Sequence, residues 1–453
     1  MRDPTFQAAS AALADAYRTR LVRRVIQQHR EGLLVGGTAD PAPERIAARV
    51  VQACTREAEL LQQPFPRRVI NGTGVLIHTN LGRAPLGELI RDLDTRVLAG
   101  YTDLEWDAET QGRGNRDLAL QRQLQLLTEA GAALVVNNCA GALFLALNTL
   151  AAGREVLVSR SELVEIGGSF RVPEIMEASG CSLHEVGTTN RTRIGDYEQN
   201  ATPGTAVLLK VHQSNFVQRG FVEQVGVEEL VALGQRLGIP VVEDNGSGLM
   251  TEDSSAPLAE EPRVAASLRA GVDVVCCSAD KLFGGVQAGI LLGGAEWIAA
   301  MRRNPLYRVL RLDKVRMALV GETLRYYLSG RAAELPLWRL FHARMDELEA
   351  RIAELRLPSP STRWKRCEVV PLRAKLGGGS NPEADFPSLG LDLAHRDLSA
   401  DALKHRFATR AVPIVGYVRQ DRFYLDLRTF FPEDLPELQG ALDELSGPSG
   451  SAG

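Results

Sequence analysis

From Val69 to about Gly294 the chain alternates short β-branched apolar runs with stretches of helical periodicity, and few architectures accept that pattern. The runs are "AALVV" (132–136), "EVLVS" (155–159), "TAVLLKV" (205–211), "IPVVED" (239–244), "VDVVCCS" (272–278) and "GILLGG" (289–294). Each is apolar at consecutive positions, which suits a strand buried on both faces and not one with a wet side. Such strands separated by helices predict an α/β core with a mostly parallel sheet wrapped by helices.

The flanks read differently. Residues 1–66 predict a helical domain, because "AALADAYRTRLVRRVIQQHREGLL" and "PERIAARVVQACTREAELLQQ" repeat apolar residues at helical spacing on either side of the turn-like "VGGTADPAP". The first of these carries Arg18, Arg20, Arg23, Arg24 and Arg30, and "PFPRR" marks its boundary with a large domain over 67–330. A smaller α+β unit over 331–446 follows, with "RCEVVPL", "SLGLDL", "PIVGYV" and "RFYLDLR" as strands and "SADALKHRFA" as a helix. Residues 447–453 are composed like a disordered tail.

Composition narrows the function classes. Over 453 residues the formal net charge is -4, so no global basic field invites nucleic acid and any RNA contact has to be local. No run reaches the roughly 18 apolar residues of a membrane span, and "MRDPTFQAAS" has no apolar signal core, so a cytoplasmic protein is expected. Six cysteines without CxxC spacing argue against a zinc site and a disulfide framework, and no metal is expected.

In wound sheets of this kind ligands sit at the carboxyl ends of strands. After "AALVV" come Asn137, Asn138, Cys139, Ala140 and Gly141, opening a helix whose free amides suit a phosphate. Asp244 ends "IPVVED" and is followed by "NGSG", where small residues admit a flat ring; after "VDVVCCSA" come Asp280 and Lys281. A phosphate cradle, an acid and a lysine are the parts pyridoxal 5'-phosphate needs, whereas no G-x-G-x-x-G follows a strand and no G-x-x-x-x-G-K-[ST] occurs. Each part taken singly is also an ordinary capped helix, a turn aspartate or a boundary lysine.

Six blocks, "RRVINGTGVLIHTNLGRAPL", "VSRSELVEIGGSFRVPEIMEASG", "EVGTTNRT", "KVHQSNF", "EDNGSG" and "SADKLFGGVQAGIL", resemble in order the bacterial selenocysteine synthases, the L-seryl-tRNA(Sec) selenium transferases. The likeness extends to "LGGGSNPEADFPS" and "RFYLDLRTFFPED". It implies an aspartate-aminotransferase-like fold (fold type I) with an active site at a dimer interface. It further implies a homo-oligomer of such dimers, a decameric ring, and an N-terminal domain that grips seryl-tRNA(Sec). Relatives commonly read "NNNAAA", "SGDK", "GGPQ" and "DLGSG" where this chain has "NNCAGA", "SADK", "GGVQ" and "DNGSG", so Val286 and Asn245 depart in kind. They also usually carry a short segment ahead of the position of "RDPTF".

By that resemblance Lys281 holds the cofactor and takes the α-proton of serine esterified to tRNA, and Asp244 pairs with the ring nitrogen. Selenium then comes from selenophosphate. Arg83, Arg308 and Arg311 match the family's anion-binding arginines, the last two being three apart and expected on one helix face. Asp280 matches a catalytic residue, expected as an acid assisting departure of hydroxide. Asn138, Cys139, Ala140, Ser278 and Gln287 are expected around the phosphate, His212 beside the ring, and Glu165 and Arg171 in the active-site surroundings. Two rivals are a lyase of the same structural branch acting on small phosphorylated amino compounds, and an RNA-binding scaffold on a dead enzyme fold.

Overall fold

A computed structural model describes residues 3–36, 42–166, 170–359, 363–380 and 384–447. The tail expected over 447–453 therefore lies outside the described residues apart from Gly447. Contacts divide the chain into two units, one ending at Val69 and the other running from Ile70.

The first unit is helical: Pro4–Ala9, Asp15–Gly36 and Pro43–Gln62 close around Phe6, Leu21, Val25, Cys54 and Ala58. Asp3 caps the first helix through the amides of Thr5 and Phe6, and proline stands at its first position, where a missing N–H costs nothing. Arg18 folds back onto the carbonyls of Ser10 and Ala11, and Arg24 pairs with Glu57 at 2.8 Å. Arg20, Arg23 and Arg30 remain on exposed positions.

The second unit is built on a seven-stranded sheet. Its strands are β1 (Ala132–Val136), β2 (Glu155–Ser159), β3 (Ser182–Val186), β4 (Thr205–Val211), β5 (Val241–Asp244), β6 (Val274–Ser278) and β7 (Gly289–Gly293). The spatial order is β1-β7-β6-β5-β4-β2-β3. All neighbours run parallel except β7, which is antiparallel to both β6 and β1. Alternate residues feed two cores. Leu157, Leu208 and Val275 face one, while Val156, Leu209 and Cys276 face the other. This accounts for the unbroken apolar runs.

A second sheet of five strands has the order Tyr417–Arg419, Arg422–Asp426, Asp385–His395, Trp364–Gly377, Val75–Ile77. Its last strand comes from the stretch read as part of the large domain and pairs parallel with the end of the long strand, Lys375 with Val75 and Gly377 with Ile77. Trp364, Leu391, Phe407, Phe423 and Leu438 fill the core behind it. Arg428 is buried there, donating to the carbonyls of Leu340, Phe341, Ala343 and Pro387 and lying over the Phe386 ring. Among the described residues no helix is long and apolar enough to cross a membrane, and no cluster of His, Cys, Asp and Glu has metal-binding geometry.

Candidate active site

β5 and β6 are neighbours, so their carboxyl ends bring Asp244 and the Ser278–Lys281 segment together. The turn after Asp244 is fixed by Asn245, whose amide donates to Glu243 Oε1 (3.3 Å) and the Pro262 carbonyl (3.2 Å). Its Oδ1 accepts from the Ser247 hydroxyl (3.2 Å) and the Gly248 N–H (3.1 Å). Gly248 has φ +71°, and a Cβ there would lie 2.4 Å from the Ser278 carbonyl oxygen, so only glycine lets the turn lie this close to β6. The Leu282 N–H then donates to the Ser247 carbonyl (2.9 Å), tying the turn to the lysine segment.

Lys281 and Asp244 are both buried, and both face the space beside Gly246. A Cβ built there would stand 3.8 Å from Lys281 Nζ and 3.9 Å from Asp244 Oδ1. Burial pushes the Asp244 carboxyl up, with the Lys281 ammonium and the Cys139 thiol pulling the other way. Cys139 Sγ lies 3.5 Å from Asp244 Oδ1, and burial together with that carboxylate lifts the thiol well above its usual range, so it is a neutral donor.

Cys139 also opens the helix Cys139–Ala151, with Asn138 as the cap whose Oδ1 accepts the Gly141 N–H at 2.7 Å. The amides of Cys139 and Ala140, in the first turn, have no intrahelical carbonyl to bond and suit an anion. A buried amine, a buried carboxylate and a helix N-terminus on adjacent strand ends fit the aldehyde, ring nitrogen and phosphate of pyridoxal phosphate.

Beside this pair Thr79, Arg83, Asp280, Val286 and Gln287 line a cavity of about 430 Å³. Asp280 joins two partners, accepting from the Ser278 hydroxyl (2.6 Å) and from Arg83 Nη1 (2.8 Å). Arg83 has φ 64°, an uncommon conformation for a residue with a side chain, and is held in it by that ion pair and by its N–H bond to the His78 carbonyl (3.0 Å). Its guanidinium is thus aimed by the backbone as well as by Asp280.

His212 follows β4. Its N–H donates to the Asp244 carbonyl (3.0 Å), and its Nδ1 bonds the Asn245 carbonyl (3.1 Å), which places the ring proton on Nδ1. Nε2 lies 4.0 Å from Glu261 Oε2. Burial, assisted by the charges of Lys281 and Lys210, brings the ring down to about 4. The unfolded chain, titrating near 6.5, binds more protons across that window, so the contribution is intact at neutral pH and is lost as pH falls from about 6.5 toward 4. Denaturant titrations at pH 7.5 and pH 5 should therefore show a larger acid loss for wild type than for His212→Asn, by roughly 1–3 kcal/mol. Equal losses would mean that the ring is not held neutral.

The expectation that Arg308 and Arg311 share a helix face is corrected. The helix Pro305–Val309 ends there, because Asp313 caps a new helix, Lys314–Leu328, through the amides of Val315 and Arg316. Arg308 is exposed in the last turn, while Arg311 lies beyond it, 3.6 Å from Glu105 and over the Tyr307 ring. Glu105 also pairs with Arg116 (3.2 Å), which donates to the Leu312 carbonyl (2.7 Å); neither residue was expected from the sequence. Glu165 and Arg171 pair with each other at 2.7 Å, both exposed, on the short antiparallel pair 165–166 and 170–171.

The fold of the chain is shared with a solved D-glucosaminate-6-phosphate ammonia-lyase at TM-score 0.61 and 17% identity, covering 85% of this chain and 98% of that one. In sequence it is 40% identical over 432 residues to the L-seryl-tRNA(Sec) selenium transferase of Aquifex aeolicus, covering 95% of this chain and 94% of the relative. It is 44% identical over 384 residues to the enzyme of that name from Geobacter metallireducens, covering 84% and 83%. The SelA model, described as L-seryl-tRNA selenium transferase, matches residues 69–431. With these matches standing on a fold type I sheet and a buried site that fits pyridoxal phosphate, the chain belongs to the L-seryl-tRNA(Sec) selenium transferase family, enzymes that convert seryl-tRNA(Sec) to selenocysteinyl-tRNA(Sec).

Proposed function

We propose that this chain carries out the family's conversion with selenophosphate as selenium donor, at the buried Lys281 and Asp244 pair beside Gly246. That pair is the observation carrying the reading. Pyridoxal phosphate, when bound, supplies the electron sink that makes the seryl α-proton acidic and lets the β-hydroxyl leave. Lys281 anchors the cofactor and, once released, takes the α-proton. Asp244 keeps the ring nitrogen protonated. The Cys139 and Ala140 amides, Asn138 and Gln287 hold the phosphate, while Ser278, expected there, gives its one O–H to Asp280; His212 flanks the ring.

Asp280 acts at the departing hydroxyl. Arg83, Arg308 and Arg311 hold selenophosphate, whose anionic oxygens suit forked donors, and Glu165 and Arg171 form the outer surroundings. An aminoacyl ester has no free α-carboxylate, so no arginine is spent on one. In net terms a carbon–oxygen bond breaks and a carbon–selenium bond forms, the donor's phosphorus–selenium bond is hydrolysed, and Lys281 returns a proton to the α-carbon.

Of the parts 1–66, 67–330 and 331–446, the first is the one that meets the tRNA. The N-terminal helices contact tRNA(Sec) through Arg20, Arg23 and Arg30, with Arg18 and Arg24 bracing them. The working form is a decameric ring of dimers in the cytoplasm. The pure protein, given labelled seryl-tRNA(Sec) and selenophosphate, should release selenocysteinyl-tRNA. Failure to bind that tRNA, together with turnover of small phosphorylated amino compounds, would replace this reading with the lyase one.

A further inference from the structure

The long strand Trp364–Gly377 of the C-terminal sheet runs into three glycines, and the third of them touches Lys281. Gly379 is buried with φ +85°; a Cβ on it would fall 2.3 Å from Lys281 Nζ and 2.4 Å from Cδ and Cε. The turn is anchored on its other side: the Gly378 N–H donates to the Ile77 carbonyl (3.0 Å), and a Cβ on Gly378 would fall 2.5 Å from Thr79 Cγ2. Thr79 in turn lines the cavity of Arg83, Asp280 and Gln287. Bare backbone from the C-terminal sheet therefore forms one wall of the space that holds the amine.

We infer that Gly379 is a positioning residue, its missing side chain reserving the volume of the Lys281 amine and its backbone fixing where that amine sits. The inference rests on the reading of Lys281 as cofactor anchor. It assigns the triglycine turn to the active centre, whereas an exposed linker would tolerate alanine at the cost of backbone strain alone. Gly180 supplies that strain control, having φ +83° and nothing within 4 Å of its Cβ position.

The test compares Gly379→Ala with Gly180→Ala, each alone and combined with Lys281→Ala, in full-length protein saturated with pyridoxal phosphate. Borohydride reduction and peptide mass spectrometry should find the adduct on Lys281 in wild type and Gly180→Ala, and lose it in Gly379→Ala. The melting temperature should fall more for Gly379→Ala than for Gly180→Ala while Lys281 is present, and equally once Lys281 is alanine, because the overlapping atoms are gone. If Gly379→Ala does not fold, Lys281→Ala should restore a folded protein. Wild-type adduct yield in Gly379→Ala, or a melting cost independent of residue 281, would overturn the inference. Absence of the adduct from wild-type Lys281 would instead overturn the anchor assignment beneath it.

Discussion

Lys281→Ala should lower selenocysteinyl-tRNA formation by on the order of 10⁴-fold or more, because one side chain is assigned both the covalent hold on the cofactor and the α-proton transfer. Among the described residues it has no understudy. Lys210, the other lysine near this region, is committed to Glu162 at 2.5 Å and to the Val225 carbonyl at 2.9 Å. His212, though adjacent, is brought down to about 4 by burial, too weak a base for the task, and it cannot form the covalent hold. The substitution should leave the fold intact, since it removes a buried ammonium without opening a hydrogen-bonded network. Three readouts should move together: turnover, the visible absorbance of the bound cofactor, and the borohydride adduct at position 281. Retention of the adduct elsewhere in an active protein would remove the anchor role from Lys281.

How far the sequence reaches can be judged from particular residues. β1, β2 and β4 match their predicted runs because their apolar residues are buried on both faces, and the one lysine among them, Lys210, is satisfied by Glu162. β3, "SLHEV", was not predicted: it is the edge strand, polar and at least partly exposed up to its buried last residue, Val186, so it lacks the signal that marked the others. β5 and β6 begin two residues later than their runs, after Pro240, which cannot donate to a ladder, and Asp273, whose side chain accepts the Val241 N–H. The runs also could not reveal that β7 is antiparallel, since an apolar stretch carries no direction.

At the site, Asp244 and Lys281 were legible because one closes a buried strand and the other follows the next strand's end by three residues, and adjacent strands of a parallel sheet bring such ends together. The partners that reach across the fold were not. Glu105 bridges Arg116 and Arg311, and Asn245 stitches Glu243 to the Pro262 carbonyl. Such contacts depend on where loops return, which no local spacing encodes. Asn245 stood out only as a departure from the family's leucine; its four hydrogen bonds explain how a polar residue is tolerated there without exposure.

Asp244→Asn should separate stability from catalysis. Asparagine keeps the shape and the capacity to accept from Cys139, but it cannot hold a proton on the ring nitrogen by charge, and turnover should fall by roughly 10²–10³-fold. Stability of the cofactor-free protein should move the other way. The carboxyl titrates above its ordinary 3.8 in the folded state, chiefly through burial, so the folded form binds its proton more tightly than the unfolded one does. No cost is present below about 3.8; it grows as pH rises through the raised value and is fully present at neutral pH. Replacing the carboxylate removes that cost, so cofactor-free Asp244→Asn should melt no lower than wild type at pH 7.5 and lose its advantage near pH 4. A residue with only a packing role would reduce melting temperature and turnover together. That joint fall, at neutral pH and with full cofactor occupancy, is the result that would take the ring-nitrogen role away from Asp244.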